Sequence, residues 1–139
     1  MLAEIYELEG GMRKAIDEYV QAIDINKQDY DSYYKIAYLL TQLDKKDEAS
    51  QMLNSLLQKK PEYIKATELL GEILIEKEMY KEAVNIYQNA LRFNPGSYDI
   101  NYNLILVFLL PYKQKLVSHR YLHMINNQLL DILYKIINQ

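Results

Sequence analysis

The residues in this chain with types and spacing suited to metal chemistry are two histidines, His119 and His123. A separation of four residues puts both imidazoles on one face of a helix, where they could hold a metal ion. A catalytic zinc site also needs a third protein ligand and a water-activating glutamate, but Arg120, Tyr121 and Leu122 stand between the histidines. We therefore predict no metal site and interpret both histidines as polar surface residues.

Other reactive groups are missing from the sequence. The chain has no cysteine, which excludes a thiol nucleophile, a disulfide framework and a cysteine-based metal site. The adjacent pair Gly10-Gly11 is not a phosphate-binding loop, and we expect it to form a turn between two helices. The acidic residues show no pairing beyond what exposed helix faces carry. The sequence therefore predicts neither an enzyme nor a cofactor.

Similar residues recur every 34 positions along this chain, and this repeat register indicates how its helices are arranged. Two series of mostly small residues share it: Ala15, Ala49 and Ala83, and also Ala3, Ala37, Gly71 and Ile105. A fixed period of about 20–50 residues indicates a solenoid built from one supersecondary unit. Such arrays usually present an extended surface to another chain rather than a single catalytic cleft.

Each complete copy of the repeat is predicted to be a helical hairpin. In 30–63 and 64–97, apolar residues recur at the i, i+3, i+4, i+7 spacing of one helix face on both sides of a short polar break. Each copy closes on Pro61 or Pro95, which cannot continue a helix. We therefore expect a first helix (helix A), a turn, and a second helix (helix B). Small residues such as Gly71 predict that the two helices approach closely.

These in-phase positions resemble the tetratricopeptide repeat (TPR) family. The best copy carries the family pattern at Leu70-Gly71, Leu74, Tyr80, Ala83, Tyr87, Ala90 and Pro95. The resemblance covers roughly residues 1–110. It implies an all-α, right-handed superhelix of three to four TPR helix-turn-helix repeats with a C-terminal capping helix.

We divide the chain on this basis. Residues 1–29 are assigned to a first repeat truncated at its start, 30–63 to the second, 64–97 to the third, and 98–139 to a degenerate fourth repeat and the capping helix. Helix A of the fourth repeat is expected from about Tyr98 to Leu110, where Pro111 ends it. Because Met1 falls partway through a helix A, we expect this chain to be part of a longer array.

The segment 112–139 leaves two interpretations open. Its apolar residues are spaced alternately by three and four, at Leu122, Ile125, Leu129, Ile132 and Ile136. It could cover the open end of the array, either as a displaced helix B or as one long helix. Alternatively, its low charge and coiled-coil-like spacing could pair two chains in a homodimer.

In a TPR hairpin, helix A lines the concave side, so the resemblance implies a peptide-binding groove on the A helices. The helix period places these residues in that groove: Tyr34, Tyr38, Lys65, Glu68, Glu72, Tyr102 and Leu106. Tyrosine supplies a rigid amphipathic surface at low entropic cost, and it is enriched in binding sites. The acidic residues favour a basic or neutral segment of the partner.

The TPR co-chaperones of Hsp70 and Hsp90 bind a C-terminal carboxylate with a clamp of Lys, Asn and Arg. The clamp positions here, counted from the second repeat, hold Tyr34, Tyr38, Leu69, Asp99 and Asn103. Counted from the first repeat, the positions that can be assigned hold Glu4, Lys35, Lys65 and Leu69. Neither set forms a clamp, so we do not expect capture of an acidic tail.

Composition narrows the class of partner. The net charge of −3 and the pI near 5.4 disfavour nucleic acid, and the longest apolar run, 104–110, is too short to span a bilayer. We predict a scaffold or adaptor that binds a peptide segment of an unidentified protein, with the cytoplasm as the expected compartment. The alternatives are a module that self-associates through 112–139 and, from the resemblance, a small chaperone for an exported client.

Overall fold

The computed structural model describes residues 2–112 together with Ile132 and Lys135. Six α-helices follow one another within 2–112: α1 (Leu2–Ile25), α2 (Tyr30–Gln42), α3 (Lys46–Lys59), α4 (Ile64–Glu76), α5 (Tyr80–Phe93) and α6 (Tyr98–Leu109). A short 3₁₀ turn, Leu110–Tyr112, follows α6. This part of the chain contains no strand, which confirms the all-α prediction. Among its helices, none combines the length and the apolar character that crossing a bilayer would require.

The helices α2 to α5 form the two hairpins that the repeat register predicts. Helices α2 and α3 pack together within 30–63, and α4 and α5 pack together within 64–97. Each hairpin also contacts the next, through α3 against α4 and through α5 against α6. The predicted end of α6 is confirmed to within one residue, because the helix stops at Leu109 and Pro111 lies in the 3₁₀ turn.

Both hairpins turn through the same backbone conformation. The residue after the helix-A cap is left-handed in each, with φ of 57° at Asp44 and 59° at Glu78. The N–H of the following residue donates to the carbonyl five residues earlier, at 2.8 Å in both turns. This pattern satisfies carbonyls that the helix end leaves free and sends the chain into helix B.

Side chains cap the start of α2 and α6. The Asp29 carboxylate accepts the Ser32 N–H at 3.2 Å and the Ser32 hydroxyl at 2.7 Å. The Ser97 hydroxyl accepts the Ile100 N–H at 3.4 Å. The register places Tyr63 at the equivalent position before α4, and Tyr63 forms no side-chain cap. Its ring is therefore free to take part in another surface.

The first repeat differs from the prediction. Helix α1 runs without interruption through Gly10 and Gly11, so the turn expected at these glycines is wrong. A continuous helix gains backbone hydrogen bonds across the two glycines, although each glycine costs about 1 kcal/mol relative to alanine.

The interior forms two apolar clusters. One joins α1 to α4 and includes the fully buried Ile36, Leu53 and Leu70. The other joins α5 to α6 and includes Tyr87 and Ile100. Outside these clusters, α6 leaves several apolar side chains exposed: Tyr98, Tyr102, Leu106 and Phe108.

The predictions for the C-terminal end concern residues that the structure describes only in small part. The surface assignment of His119 and His123 lies outside the described residues. The capping or dimerising segment 112–139 does so too, except at Tyr112, Ile132 and Lys135.

Candidate functional site

The residues predicted to bind a peptide lie on three helices that contact one another in sequence, with α4 between α2 and α6. We call their surface the A-helix face, and it comprises Asp31, Tyr34, Tyr38, Tyr63, Lys65, Glu68, Glu72, Asp99, Tyr102 and Leu106. Tyr38 is 48% exposed, Tyr102 51% and Leu106 38%. Lys65 and Glu72 are also exposed, whereas Tyr34 and Glu68 are half-buried.

Three tyrosine rings form a continuous aromatic surface at one end of this face. The ring centroids of Tyr34 and Tyr38 are 6.5 Å apart with an angle of 30° between the planes. The ring of Tyr63 lies 5.9 Å from that of Tyr34 at 40°. Tyr34 and Tyr38 are four residues apart on one helix, which accounts for their contact. We call Tyr34, Tyr38 and Tyr63 the tyrosine cluster.

Tyr63 was not among the predicted groove residues. It precedes α4 rather than lying on it, so the helix period does not identify it. The sequence does contain a signal: the equivalent positions in the register hold Asp29 and Ser97, which are capping residues, whereas position 63 holds an aromatic residue. An aromatic side chain at a capping position has lost the capping role and is free for another contact.

Asp31 is compensated within the chain. Its carboxylate forms an ion pair with Lys35 at 2.7 Å and accepts the Tyr63 hydroxyl at 3.3 Å. The hydrogen bond from Lys35 lowers the pKa of Asp31, and burial opposes this shift. The same carboxylate helps to raise the pKa of Tyr63, for which burial is the larger cause. Asp31 therefore helps to position Tyr63. Its charge is already compensated by Lys35.

Glu68 and Glu72 lack such partners. Among the side chains that the structure describes, neither carboxylate forms an ion pair or a hydrogen bond. Burial raises the pKa of Glu68, and the charges of Asp99 and Glu72 raise it further, while Lys65 acts in the opposite direction. Burial also raises the pKa of Glu72, with a further rise from Glu76. This part of the A-helix face thus concentrates negative charge without neutralising it.

The aromatic and acidic parts of the face are adjacent. Burial raises the pKa of the Tyr34 phenol, and the charges of Glu72 and Glu68 on α4 contribute to the rise. The charge of Asp99 on α6 likewise raises the pKa of Glu68 on α4, so α6 also borders the acidic part of the face. Tyr34 therefore lies near Glu68 and Glu72 and contacts Tyr38, and the charge of Lys65 acts on Glu68.

Tyr102 and Leu106 form a separate part of the face. The Tyr102 ring stacks on Tyr98 of the same helix, with centroids 6.3 Å apart and an angle of 11°. Tyr98 is 78% exposed, so this stack presents most of its area to solvent. It supplies an apolar surface on α6 beyond the carboxylates.

A concave region lies between α3 and α5, away from the A-helix face. It consists of two volumes of about 350 and 410 Å³ that share Asn54 and Ile86 in their walls. Amide, apolar and charged side chains line it, and its one aromatic residue is Phe93, so it has no aromatic stack comparable to the tyrosine cluster. In the described part of the chain, no group of three or more His, Cys, Asp or Glu residues could hold a metal ion.

Sequence comparisons identify two segments of this chain. Two models described as tetratricopeptide repeat match it, one at residues 31–63 and the other at residues 66–97. The matched segments coincide with the two hairpins. Comparison with curated protein sequences gives no match.

Three solved structures with the same fold are similar to this chain. The first TPR of Spaghetti (RPAP3), bound to the HSP90 peptide SRMEEVD, is 22% identical with a TM-score of 0.61, over 83% of this chain and 89% of that one. YrrB, a TPR protein with an unusual peptide-binding site, is 30% identical with a TM-score of 0.57, over 76% and 54%. A MamA RS-1 double mutant is 20% identical with a TM-score of 0.60, over 70% and 55%. This chain thus spans little more than half the length of the last two.

Proposed function

We propose that this chain, which belongs to the tetratricopeptide repeat family, binds an extended segment of a partner protein on its A-helix face. The family fold makes the chain a protein-interaction module, and two of its structural neighbours are a TPR domain bound to an HSP90 peptide and a TPR protein with an unusual peptide-binding site. The proposal for this chain adds which surface makes the contact. We also propose that the role is non-catalytic, since the A-helix face has no acid–base or nucleophile arrangement.

One observation supports this surface above the others: two tyrosines and a leucine on it remain exposed although the core is well formed. Tyr38, Tyr102 and Leu106 each keep more than a third of their surface accessible. Exposed aromatic residues beside charged ones are typical of surfaces that bind protein segments. The outer helices α3 and α5 offer no such cluster.

The negative charge of the face also restricts which partner segments can bind. Glu68, Glu72 and Asp99 would repel an acidic segment such as the peptide bound by the RPAP3 domain. They would repel a nucleic acid backbone for the same reason. We therefore propose a neutral or basic protein segment as the partner. The absence of cysteine is consistent with a cytoplasmic setting for this interaction.

A random peptide library tests the proposal. Selection is run in parallel on the wild type, on Tyr38→Ala/Tyr102→Ala, and on Phe93→Ala as a control. Phe93 is an exposed aromatic residue at the end of α5, so its removal changes the surface outside the A-helix face. Tyr34 is left intact because it packs against the core, and its removal would combine a loss of stability with a loss of binding.

The expected result is a sequence motif that the wild type and Phe93→Ala both enrich and that the double variant does not. Thermal melting of all three proteins verifies that each is folded. Enrichment of the same motif by the double variant, or enrichment of nothing by the wild type, would contradict the proposal.

Self-association is a second candidate, because α6 exposes Tyr98 and Phe108 in addition to its groove residues. A second chain could cover this apolar surface. Sedimentation velocity across about a hundredfold range of concentration distinguishes a dimer from a monomer. A mass that stays at the monomer value throughout would exclude this candidate.

A further inference from the structure

We propose that the junction of Tyr34 and Tyr38 with Glu68 and Glu72 is a binding site for an arginine side chain of the bound partner. The inference rests on the proposed function, since the arginine belongs to the segment that the A-helix face binds. It adds the chemistry of the main contact: the guanidinium stacks on the rings of Tyr34 and Tyr38, and its N–H groups point towards the two carboxylates.

The first argument is that the rings of Tyr34 and Tyr38 lack a cation that other tyrosines of this chain possess. Lys35 lies over the Tyr19 ring at 5.3 Å, Lys59 over Tyr33 at 5.8 Å, and Lys60 over Tyr30 at 5.2 Å. Lys60 also lies over Tyr63, the third ring of the tyrosine cluster, at 5.9 Å. In the described part of the chain, no lysine or arginine lies over Tyr34 or Tyr38. The face of an aromatic ring attracts cations, so this stack is open to one from outside.

The second argument is the uncompensated negative charge beside that stack. Two nearby acidic groups are neutralised within the chain, Asp31 by Lys35 and Glu76 by Lys46. Among the described side chains, Glu68 and Glu72 have no such partner, and Lys65 is the one cation whose field acts on Glu68. Asp99 adds to the negative field at Glu68. Carboxylates that repel one another bind a cation more favourably than isolated ones do.

The third argument distinguishes arginine from lysine. A guanidinium is planar, stacks on an aromatic face, and donates several N–H bonds in a fixed fork, so it can contact a ring and a carboxylate at once. An ammonium is a compact point charge that is more strongly hydrated. The site offers the ring faces of Tyr34 and Tyr38 on α2, inclined by 30° to each other, and nearby carboxylates on α4, an arrangement that matches the guanidinium.

The test uses a peptide enriched by the wild type in the selection described above, synthesised with a fluorescent label in three forms. One carries the selected arginine, one carries lysine there, and one carries citrulline, which keeps the shape of arginine without its charge. Fluorescence anisotropy gives the Kd of each peptide for the wild type and for Glu68→Gln/Glu72→Gln. The control protein is Glu78→Gln/Glu82→Gln, which removes the same charge from the hairpin turn and α5.

We expect citrulline to weaken binding to the wild type about tenfold, with lysine between the two, because a charge-assisted contact and a cation–π contact are both lost. In Glu68→Gln/Glu72→Gln the difference between arginine and citrulline should fall to about twofold, as in a double-mutant cycle of interacting groups. The control protein should keep the full difference.

Two results would overturn the inference without affecting the proposed function. One is a selected motif that needs Tyr38 and Tyr102 but contains no arginine. The other is an arginine that citrulline replaces without loss, or whose effect is equally large in Glu68→Gln/Glu72→Gln. If the wild type enriches no peptide at all, the proposed function and this inference fail together.

Discussion

The ring of Tyr87 occupies the space that a side chain at Gly71 would need. A Cβ atom placed on Gly71 would overlap the phenol ring and hydroxyl of Tyr87. Tyr87 is 1% exposed, and burial, together with the charges of Glu72 and Glu68, raises its pKa to about 12. Because Gly71 has no side chain, the Tyr87 ring on α5 can pack directly against α4. The sequence predicted a close approach of the two helices at this position.

In the preceding hairpin, the equivalent pair has a larger residue on helix A and a smaller one on helix B. The register places Ala37 at the position of Gly71 and Leu53 at that of Tyr87, and both are fully buried. A larger residue on helix A is thus accompanied by a smaller one on helix B. Cores tolerate substitutions that conserve volume better than those that add to it.

Gly71→Ala should consequently destabilise the protein by about 1–3 kcal/mol, although alanine favours a helix more than glycine does. Gly71→Ala/Tyr87→Leu should recover part of this loss, because it reproduces the pair found in the preceding hairpin. Urea unfolding of both variants measures the effect. A single variant as stable as the wild type would show that Tyr87 does not fill this space.

Gly10→Ala should stabilise the protein by up to about 1 kcal/mol, because alanine is the better residue inside a helix. A Cβ atom on Gly10 would meet no atom within 4 Å, so no clash offsets the gain. The sign of the effect is informative. If residue 10 were the left-handed residue of a turn, as Asp44 and Glu78 are, alanine would be unfavourable and the melting temperature would fall.

Glu78→Gly should stabilise the second hairpin by about 0.5–1 kcal/mol. Glutamate at φ 59° is strained, and glycine adopts this conformation freely. Asp44→Gly should gain less, since aspartate tolerates the left-handed region better than glutamate does. Thermal melting of the two variants provides the comparison, and a loss of stability in Glu78→Gly would contradict the turn geometry.

The repeat register predicted α2 to α6 well because those helices satisfy both local and tertiary preferences. Their apolar stripes, the small residues between paired helices and the terminal prolines all indicate the same hairpins. The continuous α1 could not be predicted in this way, since Gly10 and Gly11 suit a turn locally and the register places them where the other two hairpins turn. The place of Tyr63 and the packing of Tyr87 on Gly71 depend on side chains from different elements, which periodicity does not relate. The assignment of the A-helix face as a binding surface remains a prediction.

Glu68→Gln/Glu72→Gln should raise the melting temperature slightly near neutral pH. The folded state raises the pKa of both carboxyls, so it binds their protons more tightly than the unfolded chain does. In their charged form the two groups therefore destabilise the fold, and this penalty is relieved as the pH falls through the raised pKa values. The lowered pKa of Asp31 has the opposite effect on stability, but it is common to both proteins and cancels in the comparison.

The measurement is the melting temperature of the wild type and the variant at about pH 7.5 and about pH 5. The advantage of the variant should be larger at the higher pH. A variant that is less stable than the wild type at the higher pH would show that the carboxylates have stabilising partners.

The most direct test of the binding surface is a map of amide chemical shifts on the ¹⁵N-labelled protein as it is titrated with a selected peptide. Binding on the A-helix face predicts shifts concentrated on α2, α4 and α6, around Tyr38, Glu72 and Tyr102, with α3 and α5 largely unchanged. Shifts concentrated instead around Asn54 and Ile86, in the crevice between α3 and α5, would contradict the proposed surface.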